Sequence, residues 1–197
     1  MHQPTSYQLC SVNLGHAQPL RAGGRKVLSG IGKRAARGAV QVGSMGLAGD
    51  EVADLSVHGG LDKAVYAYPV EHYAFWQATR RAQGASLFDE VLPHGFMGEN
   101  LTVAGLLEQD VYVGDQLQFA HCMLRVAAPR EPCFKFNAVM GFAQAAKLMV
   151  QTQRCGFYLS VDQPGTLTVG ESFLVLPGRR ALSIAQAIDG KRAKHLR

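Results

Sequence analysis

Short apolar, β-prone runs recur along this chain roughly every eight to twelve residues, each closed by a turn residue. Residues 6–14 alternate apolar and polar positions and read as a first strand. Residues 39–42 form a short run ended by Gly43, and residues 64–68 form a β-rich run that stops at Pro69. Runs at 110–113, 116–119, 123–127, 156–161 and 172–176 continue the series, and a further strand starts after Gly98-Glu99-Asn100. Gly114-Asp115 and Pro164-Gly165 are tight connections between them. This rhythm predicts a mainly β protein with a few helices, closed or strongly bent into a barrel rather than built from βαβ units. Two stretches break the pattern. Residues 69–83 open with Pro69 at a favourable first helical position and set Val70, Tyr73, Phe75 or Trp76, and Ala78 on one side. Residues 137–151 carry Phe142, Ala145, Ala146 and Met149 at helical spacing. Both stripes read as packing surfaces. A third helix is expected at 183–188 with Ser183 as its cap. The domain is placed at 1–178, with a short helical and basic tail at 179–197.

Composition narrows the class. With 197 residues, 47% apolar and 18% charged, the chain is an ordinary globular protein able to bury a proper core. Met1-His2-Gln3-Pro4 lacks the basic and apolar regions of a signal peptide, and no run approaches about 18 apolar residues. No membrane association is expected. Cys10, Cys122, Cys133 and Cys155 form no CxxC pair and no zinc-like spacing, so reduced thiols in the cytoplasm are expected. The net charge of +5 is concentrated at the ends. Arg21, Arg25, Lys26, Lys33, Arg34 and Arg37 form one basic segment, and Lys191, Arg192, Lys194 and Arg197 form another. Neither interleaves aromatics with the charges, and no helix-turn-helix or zinc-finger pattern occurs, so a nucleic-acid partner is not expected. Solvated flanks are the first reading, and a basic loop for an anionic small molecule is the second.

The candidate chemistry centres on Pro129-Arg130-Glu131-Pro132-Cys133-Phe134-Lys135. The two prolines stiffen the segment, and the flanking cations favour thiolate, the nucleophilic and metal-binding form. Three further clusters carry polar groups beside glycines. Gly46-Leu47-Ala48-Gly49-Asp50 presents a carboxylate on a turn. Val57-His58-Gly59-Gly60-Leu61-Asp62-Lys63 sets an imidazole where backbone can approach a ligand, and no second His at metal-ligand spacing supports zinc. Gly98-Glu99-Asn100-Leu101-Thr102 offers an amide suited to a heterocycle edge or to capping a strand.

Taken in order, these motifs, together with Val113-Gly114-Asp115, resemble the MOSC domain family, named after the C-terminal domain of molybdenum cofactor sulfurases. Within it the likeness is greatest to the bacterial YiiM-type proteins and runs from about Leu9 to Leu176. The resemblance implies a β-barrel that binds the molybdenum cofactor, a pterin carrying a dithiolene and a phosphate. It also implies Cys133 as the catalytic thiol and molybdenum ligand, or as a persulfide carrier. Asp50 and His58 become the proton-handling residues, and Lys33, Lys63, Arg130, Asn100, Gly59 and Gly60 the cofactor-binding ones. The implied activity is reduction of N-hydroxylated compounds, such as hydroxylaminopurine-type base analogues. A flavoprotein would donate the electrons, and a homodimer is expected. The family also carries an association with pyridoxal phosphate binding. The alternative is a non-catalytic carrier of the cofactor or of sulfur. Residues 181–188 resemble the first helix of a C-terminal helical domain in longer relatives, and the tail reads as truncated relative to it, which bears most on reductase activity.

Overall fold

The computed structural model describes residues 6–51, 53 and 60–195, with side chains as far as Arg192. In chain order the strands before the first helix are β1 (Ser6–Leu14), β2 (Gln18–Ala22), β3 (Arg25–Ser29), β4 (Arg34–Ala35), β5 (Val40–Gly43), β6 (Gly46–Leu47) and β7 (Val65–Pro69). Helix α1 (Tyr73–Ala82) is followed by β8 (Leu101–Ala104), β9 (Gln116–Gln118) and β10 (Met123–Pro129). Helices α2 (Phe134–Met140) and α3 (Ala145–Gln151) precede β11 (Phe157–Gln163), β12 (Gly165–Leu167) and β13 (Ser172–Leu176), and α4 (Ile184–His195) comes last.

Seven strands close a barrel in the order β13-β9-β10-β11-β7-β8-β1, with β1 pairing back onto β13 through Tyr7 and Phe173. Closure leaves this ring without a free edge. The β7–β8 pair is the one parallel pair among the described strands, in register Ala67 with Leu101 and Tyr68 with Thr102. Parallel neighbours need a long crossover, and α1 lies within it. All five residues of β7 are buried, because Tyr68 also meets α1, accepting the Trp76 indole N–H at 2.6 Å. Trp76 is fully buried and stands edge-on to Phe136 of α2, which fastens both helices to the same core. Ile184 and Ile188 of α4 join that core as well. Among the described residues no helix is long and apolar enough to cross a membrane.

Local expectations meet the structure unevenly. The predicted runs at 6–14 and 172–176 are strands over those residues. Residues 110–113 form no ladder; Tyr112 makes only an isolated bridge to Ser183, and its N–H is taken by the Asp115 carboxylate at 3.1 Å. Pro69 does not open α1. It ends β7 opposite Val103, and a 3-10 turn at Val70–His72 leads into the helix. The stretch 137–151 is two helices, because Gly141 is left-handed at φ 79° and ends α2. Sequence reading did not find the β2–β3 hairpin, whose Gly23-Gly24 turn has φ of 58° and 76°. Positive φ at both central residues is the geometry that suits a two-residue hairpin. At α4 the expected Ser183 cap is present: its hydroxyl accepts the Gln186 N–H, and the Gln186 side chain accepts the Ser183 N–H.

Candidate functional site

A pocket opens at one side of the barrel, with about 670 Å³ of space free of atoms and part of it continuous with solvent. Its walls come from the exit of β3, the Lys33 and Asp50 loops, the start of β7, the segment before β8, the strap after β10, and β11.

The strap carries the thiol. β10 ends at Pro129, and the Arg130 N–H reaches the Gly156 carbonyl at 3.2 Å, which holds the strap against the entry to β11. Cys133 is extended at φ −117° and ψ 177° and leads into α2. It is half-buried and lines the pocket. The other thiols lie outside this pocket. Burial pushes Cys122 and Cys155 up to about 12, and Cys10 is also raised by burial.

Arg130 is the most unusual group of the pocket. It is buried, and its guanidinium lies 5.2 Å from the centroids of both the Tyr66 and Phe136 rings. One of its nitrogens donates to the Met149 sulfur at 3.3 Å, and among the described residues no carboxylate lies within ion-pair distance. Cys133 and Tyr158 are within its electrostatic reach. Burying a charge is costly unless something compensates it, and two aromatic faces and a thioether compensate a guanidinium only in part. Lys63 and Lys135 add two more cations to the pocket wall. Lys135 is tethered by a 2.8 Å hydrogen bond to the Leu28 carbonyl, and Lys63 lies 5.9 Å from the Tyr158 ring.

The opposite wall is internally neutralised. Lys33 pairs with Asp50, both almost entirely buried. Asp50 also accepts the Gly15 N–H at 2.9 Å and an Asn100 amide N–H at 2.8 Å, so both its oxygens are occupied. Burial lowers the Lys33 ammonium below its usual range, and Asp50 opposes that shift. Asn100 spends its remaining capacity inside the fold, donating to the Asn13 carbonyl and accepting the Tyr66 N–H. Directly before it, Glu99 is wholly buried and accepts from the backbone of Gly95 and Met97, from Thr102 and from Tyr73. Burial raises its carboxyl above the ordinary range.

Of the residues singled out from the sequence, Cys133, Arg130, Lys33, Asp50, Asn100 and Lys63 line this one pocket. Gly60 is exposed at the start of a 3-10 turn, and His58 and Gly59 lie outside the described residues. Tyr66, Tyr158 and Glu51 line the pocket without having been singled out. Tyr66 and Tyr158 sit in strands that read as ordinary core, and nothing in their spacing marks them. Among the described residues no group of three or more His, Cys, Asp or Glu could hold a metal ion.

Residues 54–173 match the MOSC domain. The chain belongs to the MOSC domain family. This MOSC chain is 37% identical over 193 residues to YflK of Bacillus subtilis, an uncharacterized protein, covering 96% of the chain and 84% of YflK. A reductase of Gibberella moniliformis is 32% identical over 169 residues, covering 85% of the chain but only 29% of that protein. Among solved structures, YiiM from Geobacillus stearothermophilus superposes with a TM-score of 0.74 at 30% identity, covering 95% of this chain and 85% of that one. The likeness shows the MOSC barrel directly and places the Cys133 strap within the matched domain.

Proposed function

We propose that this MOSC chain binds the molybdenum cofactor in the pocket and reduces N-hydroxylated compounds, hydroxylaminopurine-type base analogues among them. The observation that carries the reading is the meeting in one pocket of the Cys133 thiol with the buried Arg130 guanidinium, which has no ion-pair partner among the described residues. The residues fit the group. A thiolate is a soft ligand suited to a thiophilic metal. A phosphate needs fixed cationic donors, which Arg130, Lys63 and Lys135 supply. The pocket offers a single sulfur, matching a metal that brings dithiolene sulfurs of its own. The Gibberella relative's designation as a reductase supports the activity.

When bound, the molybdenum centre supplies the two electrons consumed as R–NHOH and two protons become R–NH2 and water. The chain's own groups do the rest. Tyr66 and Phe136 hold the Arg130 plane in a fixed orientation for an anion. Lys33 holds a proton at the pocket wall that burial has loosened, and Asp50 keeps its ammonium in place. A flavoprotein that restores the electrons completes the proposal.

The test is to express the chain in a host that makes the cofactor and measure molybdenum and pterin per chain in the native protein, Cys133→Ser and Arg130→Gln. Near-stoichiometric loading is expected in the native protein. In each variant it should fall to about a tenth or less, the scale typical of lost ligand or supporting contacts. Native protein free of both molybdenum and pterin sinks the reading. A persulfide on Cys133 in cofactor-free protein would then assign the thiol to sulfur transfer.

A further inference from the structure

The first 49 residues contain six Lys or Arg and no Asp or Glu, whereas the remainder carries fourteen Lys or Arg against fifteen Asp or Glu. The net positive charge therefore belongs entirely to the segment that forms β1–β6. Its most outlying part is the β2–β3 hairpin, where Arg21 faces Lys26 and Ala22 faces Arg25 across the ladder. Arg21, Arg25 and Lys26 are exposed, and none has a carboxylate within ion-pair distance among the described residues. Some surface arginines elsewhere are paired, Arg81 with Asp89, Arg125 with Asp162 and Arg192 with Asp189. The exposed Arg34, Arg37 and Arg179, like the hairpin cations, have no carboxylate within ion-pair distance among the described residues.

The hairpin stands at the mouth of the pocket. Ser29 and Gly30, at its exit, line the pocket, and Lys135 clasps the Leu28 carbonyl from two residues beyond Cys133. The Arg25 guanidinium lies 5.6 Å from the centroid of the Phe134 ring, and Phe134 directly follows Cys133 and is 41% exposed. Among the described residues, the two carboxylates that line the pocket are already engaged. Asp50 is held by Lys33, and Glu51 accepts the Ala17 N–H at 2.8 Å and lies 3.3 Å from the His16 imidazole. Arg25, opposite the buried Ala22, lies on the face that meets Phe134, whereas Arg21 and Lys26 lie on the outer face. Cations near a pocket mouth raise the local concentration of anions, and Arg25 is placed to hold an anionic group that projects from the pocket.

We propose that the β2–β3 hairpin is a phosphate-reading rim, and that the substrate brought to Cys133 is the phosphorylated form of its class, a nucleotide rather than a free base. This rests on the proposed reductase reading for the base and on the hairpin alone for the phosphate. The rim spans one short hairpin whose neighbouring aromatic is the single ring of Phe134, a size that suits one nucleotide better than a strand of nucleic acid.

The test uses cofactor-loaded protein and three probes: 6-hydroxylaminopurine, its ribonucleoside and its 5′-monophosphate. Affinities are measured by calorimetry at about 50 and 200 mM salt, and turnover is followed separately. The monophosphate should bind about tenfold tighter than the nucleoside at low salt, with the ratio shrinking at high salt as exposed charges are screened. In the triple variant Arg21→Gln, Arg25→Gln, Lys26→Gln the ratio should collapse to below about threefold, with an unchanged melting temperature as the control for folding. Equal affinity for monophosphate and nucleoside in the native protein, no binding of any probe, or a ratio untouched by the variant overturns the rim. A single-stranded oligonucleotide that outcompetes the monophosphate also overturns it and assigns the hairpin to nucleic acid. The two readings fail separately. Reduction of all three probes without phosphate preference leaves the reductase and removes the rim, whereas hairpin-dependent monophosphate binding without turnover leaves the rim and removes the reductase.

Discussion

Glu99 shows how much of the pocket is set by groups that never touch it. The carboxylate is wholly buried, takes four hydrogen bonds and stands beside Asn100, which in turn fixes Asp50. Its carboxyl is raised above 4.5 by burial, so the folded protein holds that proton more tightly than the unfolded chain does. The stabilising contribution is fully present below about 4.5 and is lost as pH rises through the folded value. The stability difference between native protein and Glu99→Gln should therefore shrink as pH is raised from about 4 to 8. Thermal melts across that range check it, and a pH-independent difference would show that Glu99 does not titrate in this way. At this scale the thiol that the sequence singled out lines the pocket. The proline-flanked, cation-flanked Cys133 lies at the pocket, whereas burial pushes Cys122 and Cys155 to about 12. The pairing of Lys33 with Asp50, seventeen positions apart, was not legible, because nothing local links them.

Elements with a regular polar-apolar rhythm were readable, and those defined by turn geometry were less so. β1 and β13 carry clear patterns and lie where the pattern sets them. The β2–β3 hairpin was hidden by its charge: Arg21, Arg25 and Lys26 made the segment read as a solvated flank, although Gly23-Gly24 is a two-residue turn signal. The apolar spacing over 137–151 was read correctly as helical, yet Gly141 at φ 79° divides it. A Cβ at Gly141 would meet the Ala85 Cβ at 3.1 Å as well as an unfavourable backbone. Gly141→Ala should cost about 1–3 kcal/mol, visible as a lower denaturation midpoint with an unchanged slope. A neutral effect would mean that α2 and α3 merge into one helix without loss.

On the scale of the whole molecule, the closed ring and the appended hairpin differ in how they are held. β1, β7, β10 and β11 are paired on both sides within the barrel, whereas β2 and β3 pair only with each other. Amides of those four barrel strands should exchange with solvent through global unfolding alone. Amides of the hairpin should exchange through local opening, at least about a hundredfold faster. Hydrogen-exchange mass spectrometry of peptides spanning residues 6–14 and 18–29 measures the contrast. Equal protection of both would mean that the hairpin unfolds together with the barrel.

By itself the sequence determined the mainly β character, the barrel and the family, because each depends on local periodicity, turn chemistry or an ordered set of contiguous motifs. Only the tertiary structure decided which of the scattered polar residues meet. Closing β1 onto β13 and crossing β7 to β8 in parallel bring residues as distant as Lys33, Asn100 and Arg130 to one pocket. It also decided which charges remain uncompensated. Asp50 cancels Lys33, whereas two aromatic rings rather than a carboxylate cover Arg130, a difference that arises from packing across the barrel and leaves no trace in local sequence.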